Sequence, residues 1–286
     1  MLERLSIGRP ISVLLVLLAG LVGSAQAGVI SPLRGVGDVP FSADLPVFFA
    51  EDGSPRVHLS ARVFERDLVR PKGGQPQRLA LRMKLARSGV VAVDTSRTIE
   101  FVPRPFDAEI GESWTEPFRL IEITAKVDPG SWAVTLDLSD ERGRSSRASA
   151  VLEVPAGQGT RMSDPEFQLE TSSAKLPWPD RVYGLVQDTL EVYFEVEAVV
   201  AAGAEPFRFE VHDPRYGLLD EQQLLLPLES GNNAALWRLP VSDFPEGTYA
   251  LKIVPPWEGE PRLSEFSVSW RIDRSLEGGD ELIVEA

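Results

Sequence analysis

FPEGTYALKIV, residues 244–254, and VDPGSWAVTLDL, residues 127–138, are two versions of one phrase. In each, a proline-containing turn reaches a glycine, an aromatic residue stands two places on, and apolar residues then alternate with polar ones. Tyr249, Leu251 and Ile253 share one face of the later copy; Trp132, Val134, Leu136 and Leu138 share one face of the earlier. A period of two marks a strand with one buried face. Gly130 or Gly247 supplies the backbone angles of a tight turn entering that strand, and the aromatic covers the end of the core, as the tyrosine corner of a β-sandwich does. Tyr249 has a hydroxyl to aim at an upstream carbonyl. Trp132 offers only an indole N–H, so the same bond does not automatically follow in the earlier copy.

The same alternation extends outward from both phrases. RVHLSARV puts Val57, Leu59, Ala61 and Val63 on one face, and RLALRMKL does so with Leu79, Leu81, Met83 and Leu85. Turn residues at Lys72-Gly73-Gly74 and Ser88-Gly89 leave the second of these too short for a capped helix. Asp140-Glu141-Arg142-Gly143 reads as a hairpin turn, with Ala148, Ala150, Leu152 and Val154 on the returning strand. In the second half, LEVYFEV buries Leu190, Val192, Phe194 and Val196, Phe207 to Val211 follows as a further strand, and Phe266, Val268 and Trp270 return after the turn at Pro255 to Pro261. The predicted fold is therefore all-β: two tandem antiparallel β-sandwiches of immunoglobulin or fibronectin type III kind, at 41–155 and 162–272, each about 110 residues long. A lead-in at 28–40, a short linker at 156–161 that follows Pro155 and carries Gly157 and Gly159, and an acidic tail at 273–286 complete the plan.

Composition bounds the function. Residues 1–27 carry Arg4 and Arg9, an apolar run and an Ala25-Gln26-Ala27 exit, the pattern of a cleaved signal peptide, so a periplasmic or secreted protein without a membrane span is expected. Cysteine is absent, which excludes both a lipid-anchored lipoprotein and a disulfide-stapled module; stability has to come from buried apolar surface. The formal net charge of −14 repels polyphosphate, so nucleic acid and anionic membrane surfaces are not expected partners.

LPWPDRVYGLVQDTLEVYFEVE, Leu176 to Glu197, resembles a segment of bacterial exported proteins known for a GWxTD domain. Pro177, Pro179, Arg181, Val182, Tyr183, Gly184, Tyr193, Phe194 and Glu195 carry the likeness, and VHLSARVFERDL resembles that family's early strand. The defining Gly-Trp-x-Thr-Asp motif is missing: GESWTEP at 111–117 has Ser113 and Glu116 where the motif needs Gly and Asp. The resemblance implies export and sandwich architecture, and no activity.

Chemistry is sparse. The chain has two histidines. His58 reads as an exposed strand residue, and His212-Asp213-Pro214 as a strand end running into a turn. Two histidines without cysteine do not make a zinc site, and there is no nucleophile elbow for a hydrolase. Acidic pairs such as Glu51-Asp52 and Asp220-Glu221 have no spacing that points to acid–base catalysis. Asp164 or Glu166, with acids of the first unit, would be the place for calcium at the joint, but no regular loop of alternating acids exists there, so neither metal nor cofactor is expected. What remains is contact surface. Trp178, between two prolines, and Trp257, in PPWEGEPR, are flat rings on stiff loops suited to stacking on saccharide or gripping protein, unless each folds back over its own sandwich. Leu282, Ile283 and Val284 form an apolar patch in the tail that suits strand addition to a partner. The expectation is a non-enzymatic exported interaction or scaffold protein of the bacterial envelope whose partner is another envelope protein. The alternative is a carbohydrate-binding module using the loop tryptophans.

Overall fold

The computed structural model describes residues 31–68, 75–102, 117–157, 159–171 and 174–270. The signal-peptide segment, most of GESWTEP and the tail patch Leu282, Ile283 and Val284 lie outside the described residues.

The strands run in chain order as β1 (Leu33–Gly37), β2 (Phe41–Asp44), β3 (Val47–Phe49), β4 (Pro55–Phe64), β5 (Gln77–Arg87), β6 (Val90–Phe101), β7 (Phe118–Lys126), β8 (Gly130–Asp140) and β9 (Ser145–Val154). A second set follows: β10 (Arg161–Met162), β11 (Glu166–Glu170), β12 (Lys175–Pro177), β13 (Val182–Gly184), β14 (Thr189–Ala198), β15 (Ala202–Asp213), β16 (Gly217–Leu228), β17 (Gly231–Pro240), β18 (Gly247–Val254) and β19 (Arg262–Ser269). Among the described residues the architecture is all-β, and every pairing is antiparallel except that of β13 with β19.

The repeated phrase is matched by a repeated pattern of strand pairs. β4 pairs with β7 as β14 does with β17. β5 lies between β6 and β8 as β15 lies between β16 and β18. β8 pairs with β9 as β18 does with β19. Even the register shift recurs, near the hairpin end of β5 at Leu85/Ala86 and of β15 at Val211/His212. The sets differ in how they close. β1 pairs with β2 on one side and β9 on the other, so the first nine strands form a single curled sheet, whereas the second set splits into two five-stranded sheets.

Two hydrophobic cores result, one running from Val39 to Val154 and the other from Met162 to Val268. The alternation read from the sequence is what fills them. Val57, Leu59, Ala61, Val63, Leu81, Met83 and Leu85 are fully enclosed, as are Leu190, Val192, Phe194 and Val196. Each of these valine, leucine, methionine and phenylalanine side chains contributes roughly 1.5–3 kcal/mol on burial. At the corners, the Trp132 indole N–H donates to the Asp128 carbonyl at 2.9 Å, and the Tyr249 hydroxyl donates to the Pro245 carbonyl, each four residues upstream. The indole thus makes in the first set the bond that the phenol makes in the second. The two glycines are not equivalent: Gly130 has φ +132°, while Gly247 does not occupy positive φ.

Candidate functional site

Strand alternation leaves one polar face on β14, and its residues Glu191, Tyr193, Glu195 and Glu197 would ordinarily face water. Here Glu191 is buried against Lys175 and Arg238 of its own unit, and Glu195 is buried beneath the first unit. The first unit lays β3 and the start of β4 against this face, so the polar sides of two sheets meet in a seam. Burying that much charge costs free energy unless each group finds a partner, and the seam is built accordingly.

At one end, the Glu195 carboxylate accepts from Arg56 Nη2 at 2.8 Å, from the Tyr193 hydroxyl at 2.9 Å and from the Phe49 backbone N–H at 3.2 Å. Burial, followed by the nearby Glu195 charge, raises the Tyr193 pKa, so this phenol stays a donor. Arg161 pairs with Glu197 and also donates to the Gly53 carbonyl at 2.6 Å, its guanidinium lying over the Phe49 ring. In the middle, Val47 and Asp164 exchange two bonds. The Val47 N–H donates to Asp164 Oδ2 at 3.0 Å and the Asp164 N–H donates to the Val47 carbonyl at 3.1 Å. Burial raises the Asp164 pKa, while Arg262, 3.3 Å away, opposes that rise.

His58 stands beside this line. Its Nδ1 is 2.8 Å from Glu166 in the second unit and its Nε2 is 3.2 Å from Glu122 in the first. Burial by itself lowers its pKa, but the hydrogen bonds to Glu122 and Glu166 outweigh that and raise it to about 9. At neutral pH the ring is therefore an imidazolium that donates to a carboxylate on each side. The sequence reading of His58 as an exposed strand residue is corrected: its polar face is covered by the neighbouring unit.

At the other end lies the WPDR turn. The Arg181 N–H donates to the Trp178 carbonyl at 3.0 Å, and Arg181 itself sits at φ 53°, a left-handed conformation that costs a non-glycine residue about 1 kcal/mol. That twist sends its guanidinium into the seam, where Nε and Nη2 grip both oxygens of Asp44 at 3.0 and 2.5 Å. The side chains are 0% and 3% exposed. Nη1 donates to the Glu265 carbonyl, and the guanidinium lies 4.6 Å from the Phe167 ring centre. The preceding residue, Asp180, receives Arg34 at 2.7 Å and pairs with Arg62. Adjacent residues of one turn thus send opposite charges into the first unit.

This arrangement settles where the singled-out residues stand. Trp178 is 4% exposed, under the Arg62 guanidinium and edge-on to Phe118, and its indole N–H donates to the Val182 carbonyl at 2.9 Å. The ring belongs to the seam and is not presented as a stacking platform. Trp257 is half-buried, packed edge-on against Phe207 of the second core. Asp164 and Glu166, the acids considered for calcium, are held by Val47 and Arg262 and by His58, and among the described residues there is no group of three or more His, Asp or Glu side chains arranged to hold a metal ion.

No family model matches the chain, and no curated protein matches it by sequence. The resemblance of Leu176 to Glu197 to GWxTD-domain proteins therefore has no family match behind it. Among solved structures, one described as "Biofilm associated protein - BSP domain" aligns with 79% of this chain and 51% of its own, at 8% identity and a TM-score of 0.23. The chain spans about half the length of that structure, and a score of that size does not establish a shared fold.

Proposed function

We propose that this chain is a non-enzymatic exported interaction or scaffold protein of the bacterial envelope, periplasmic or secreted, made of two tandem sandwiches of fibronectin type III-like plan. The recurring strand pairing supports the sandwich reading, and the leader-like first 27 residues support export. The observation that carries the functional reading is the enclosed Arg181–Asp44 pair with the charge-matched seam around it. A binding module gains from holding two surfaces at one angle, because a preorganised pair of units loses less freedom when a partner engages both. Both histidines are bound to carboxylates, His58 to Glu122 and Glu166 and His212 to Glu210 at 3.0 Å, which fits structural rather than catalytic roles. The partner on this reading is another envelope protein.

The test is capture from envelope extract with the purified protein as bait, alongside a glycan array. Saturable, stoichiometric retention of a protein is the expected result. Saccharide binding without protein retention would overturn the proposal.

A further inference from the structure

β6 and β16 occupy the same place in the repeated plan: among the described residues each is the last strand of its sheet, paired on one side only, to β5 and β15. A strand in that position presents an unpaired ladder edge that another chain can join unless charge or shape prevents it. The two edges are treated differently. β6 carries Asp94, Arg97 and Glu100, with Asp94 paired to Arg82 and Glu100 to Arg78 on β5. β16 reads GLLDEQQLLLPL, and its charges are confined to Asp220 and Glu221. Twelve large apolar side chains are exposed among the described residues: Leu218, Leu219 and Leu225 stand on β16 and Tyr216 in the turn before it, Val199 and Val200 lie in the β14–β15 turn beside the far end of β16, and β6 carries Val90 and Val91. Pro227 interrupts the edge only near its end, leaving the run before it free.

The local charge indicates what fits there. Arg208 and Arg215 are occupied by Glu210 and Asp213. Glu205, Asp220, Glu221 and Glu229 have no basic partner among the described residues. A second copy of this chain would bring the same carboxylates and its own formal charge of −14 to the contact. Leu219 and Leu225 lie on one face of β16 and Asp220 on the other, so an extended segment alternating apolar and basic residues would place its apolar side chains beside those two leucines and its ammonium or guanidinium groups on the side of Asp220. Resting on the interaction reading above, we propose that the free edge of β16 is the docking site for such a strand of a partner protein, added antiparallel or parallel to the sheet.

The probe is a short peptide of alternating valine and lysine, titrated into the purified full chain by fluorescence anisotropy, with a valine–glutamate peptide as its counterpart. The lysine peptide should bind and slow amide exchange along Gly217–Leu226. Leu225→Lys, at a side chain 63% exposed, should weaken it by about tenfold or more, and Val91→Lys on β6 should leave it unchanged. The site is overturned by absence of binding, by equal affinity for Leu225→Lys, by equal binding of the glutamate peptide, or by self-association that Leu225→Lys abolishes. Retention of an envelope protein at wild-type level by Leu225→Lys would remove β16 as the site and leave the interaction reading standing; failure of the wild type to retain any protein would remove the reading itself.

Discussion

Arg181 and Asp44, 137 residues apart in the chain, meet through two hydrogen bonds with neither side chain reaching solvent. Removing one partner of such a pair strands the other charge in a dry environment. Arg181→Ala or Asp44→Ala should each cost about 3–5 kcal/mol in denaturant unfolding, whereas the double change Arg181→Met with Asp44→Leu should cost much less, since the desolvation penalty leaves with the charges. Equal losses for singles and double would contradict the pairing.

His58 gives the seam a pH dependence whose sign is fixed. Its folded pKa of about 9 lies above the usual imidazole value near 6.5, so its contribution is fully present below about pH 6.5 and is lost as pH rises through 9. The full shift corresponds to at most about 3 kcal/mol, reduced by screening because Glu122 is 44% exposed. Unfolding of His58→Gln measured across that window should be flatter than wild type. Parallel curves would contradict the bridge.

The two phrase glycines should respond differently to alanine. An alanine at 130 would have to adopt φ +132° with its Cβ pressed against the Arg87 guanidinium, so Gly130→Ala should cost about 1–3 kcal/mol. At Gly247 the nearest atoms stand at ordinary contact distances, 3.7 Å and beyond, so Gly247→Ala should change stability by less than about 1 kcal/mol. Thermal melts of the two variants distinguish these outcomes.

Pro155 to Gly157 link the units along an exposed path, while the seam holds them through separate contacts. A protease cut there should therefore leave two fragments that co-elute in gel filtration. Addition of Asp44→Ala should let them separate. Separation of the nicked wild type would mean that the seam is weak.

The strands were legible because a period of two is local: the enclosed faces of β4, β5, β8, β14 and β18 are those that alternation marks. The seam was not legible for the same reason. Alternation tells which face of a strand is polar and says nothing of what covers it, so His58 read as solvent-facing and nothing marked Glu195 as buried. Arg181 and Asp180 fell inside the quoted LPWPDRVYG segment, but their partners Asp44, Arg34 and Arg62 lie more than a hundred residues away, and charge complementarity over that distance leaves no local pattern. Trp178, between stiff prolines, carried the only local signal that something unusual occupies this turn; its ring proved to be roofed by Arg62 and Phe118.

A native chain without cysteine allows the most direct measurement. Spin labels on cysteines introduced at Val151 in the first unit and Leu225 in the second, both well exposed, report the distance between units by double electron–electron resonance. Units fixed by the seam give one narrow distance peak that broadens on Asp44→Ala; a broad distribution in the otherwise wild-type chain, unchanged by that substitution, would contradict the locked joint.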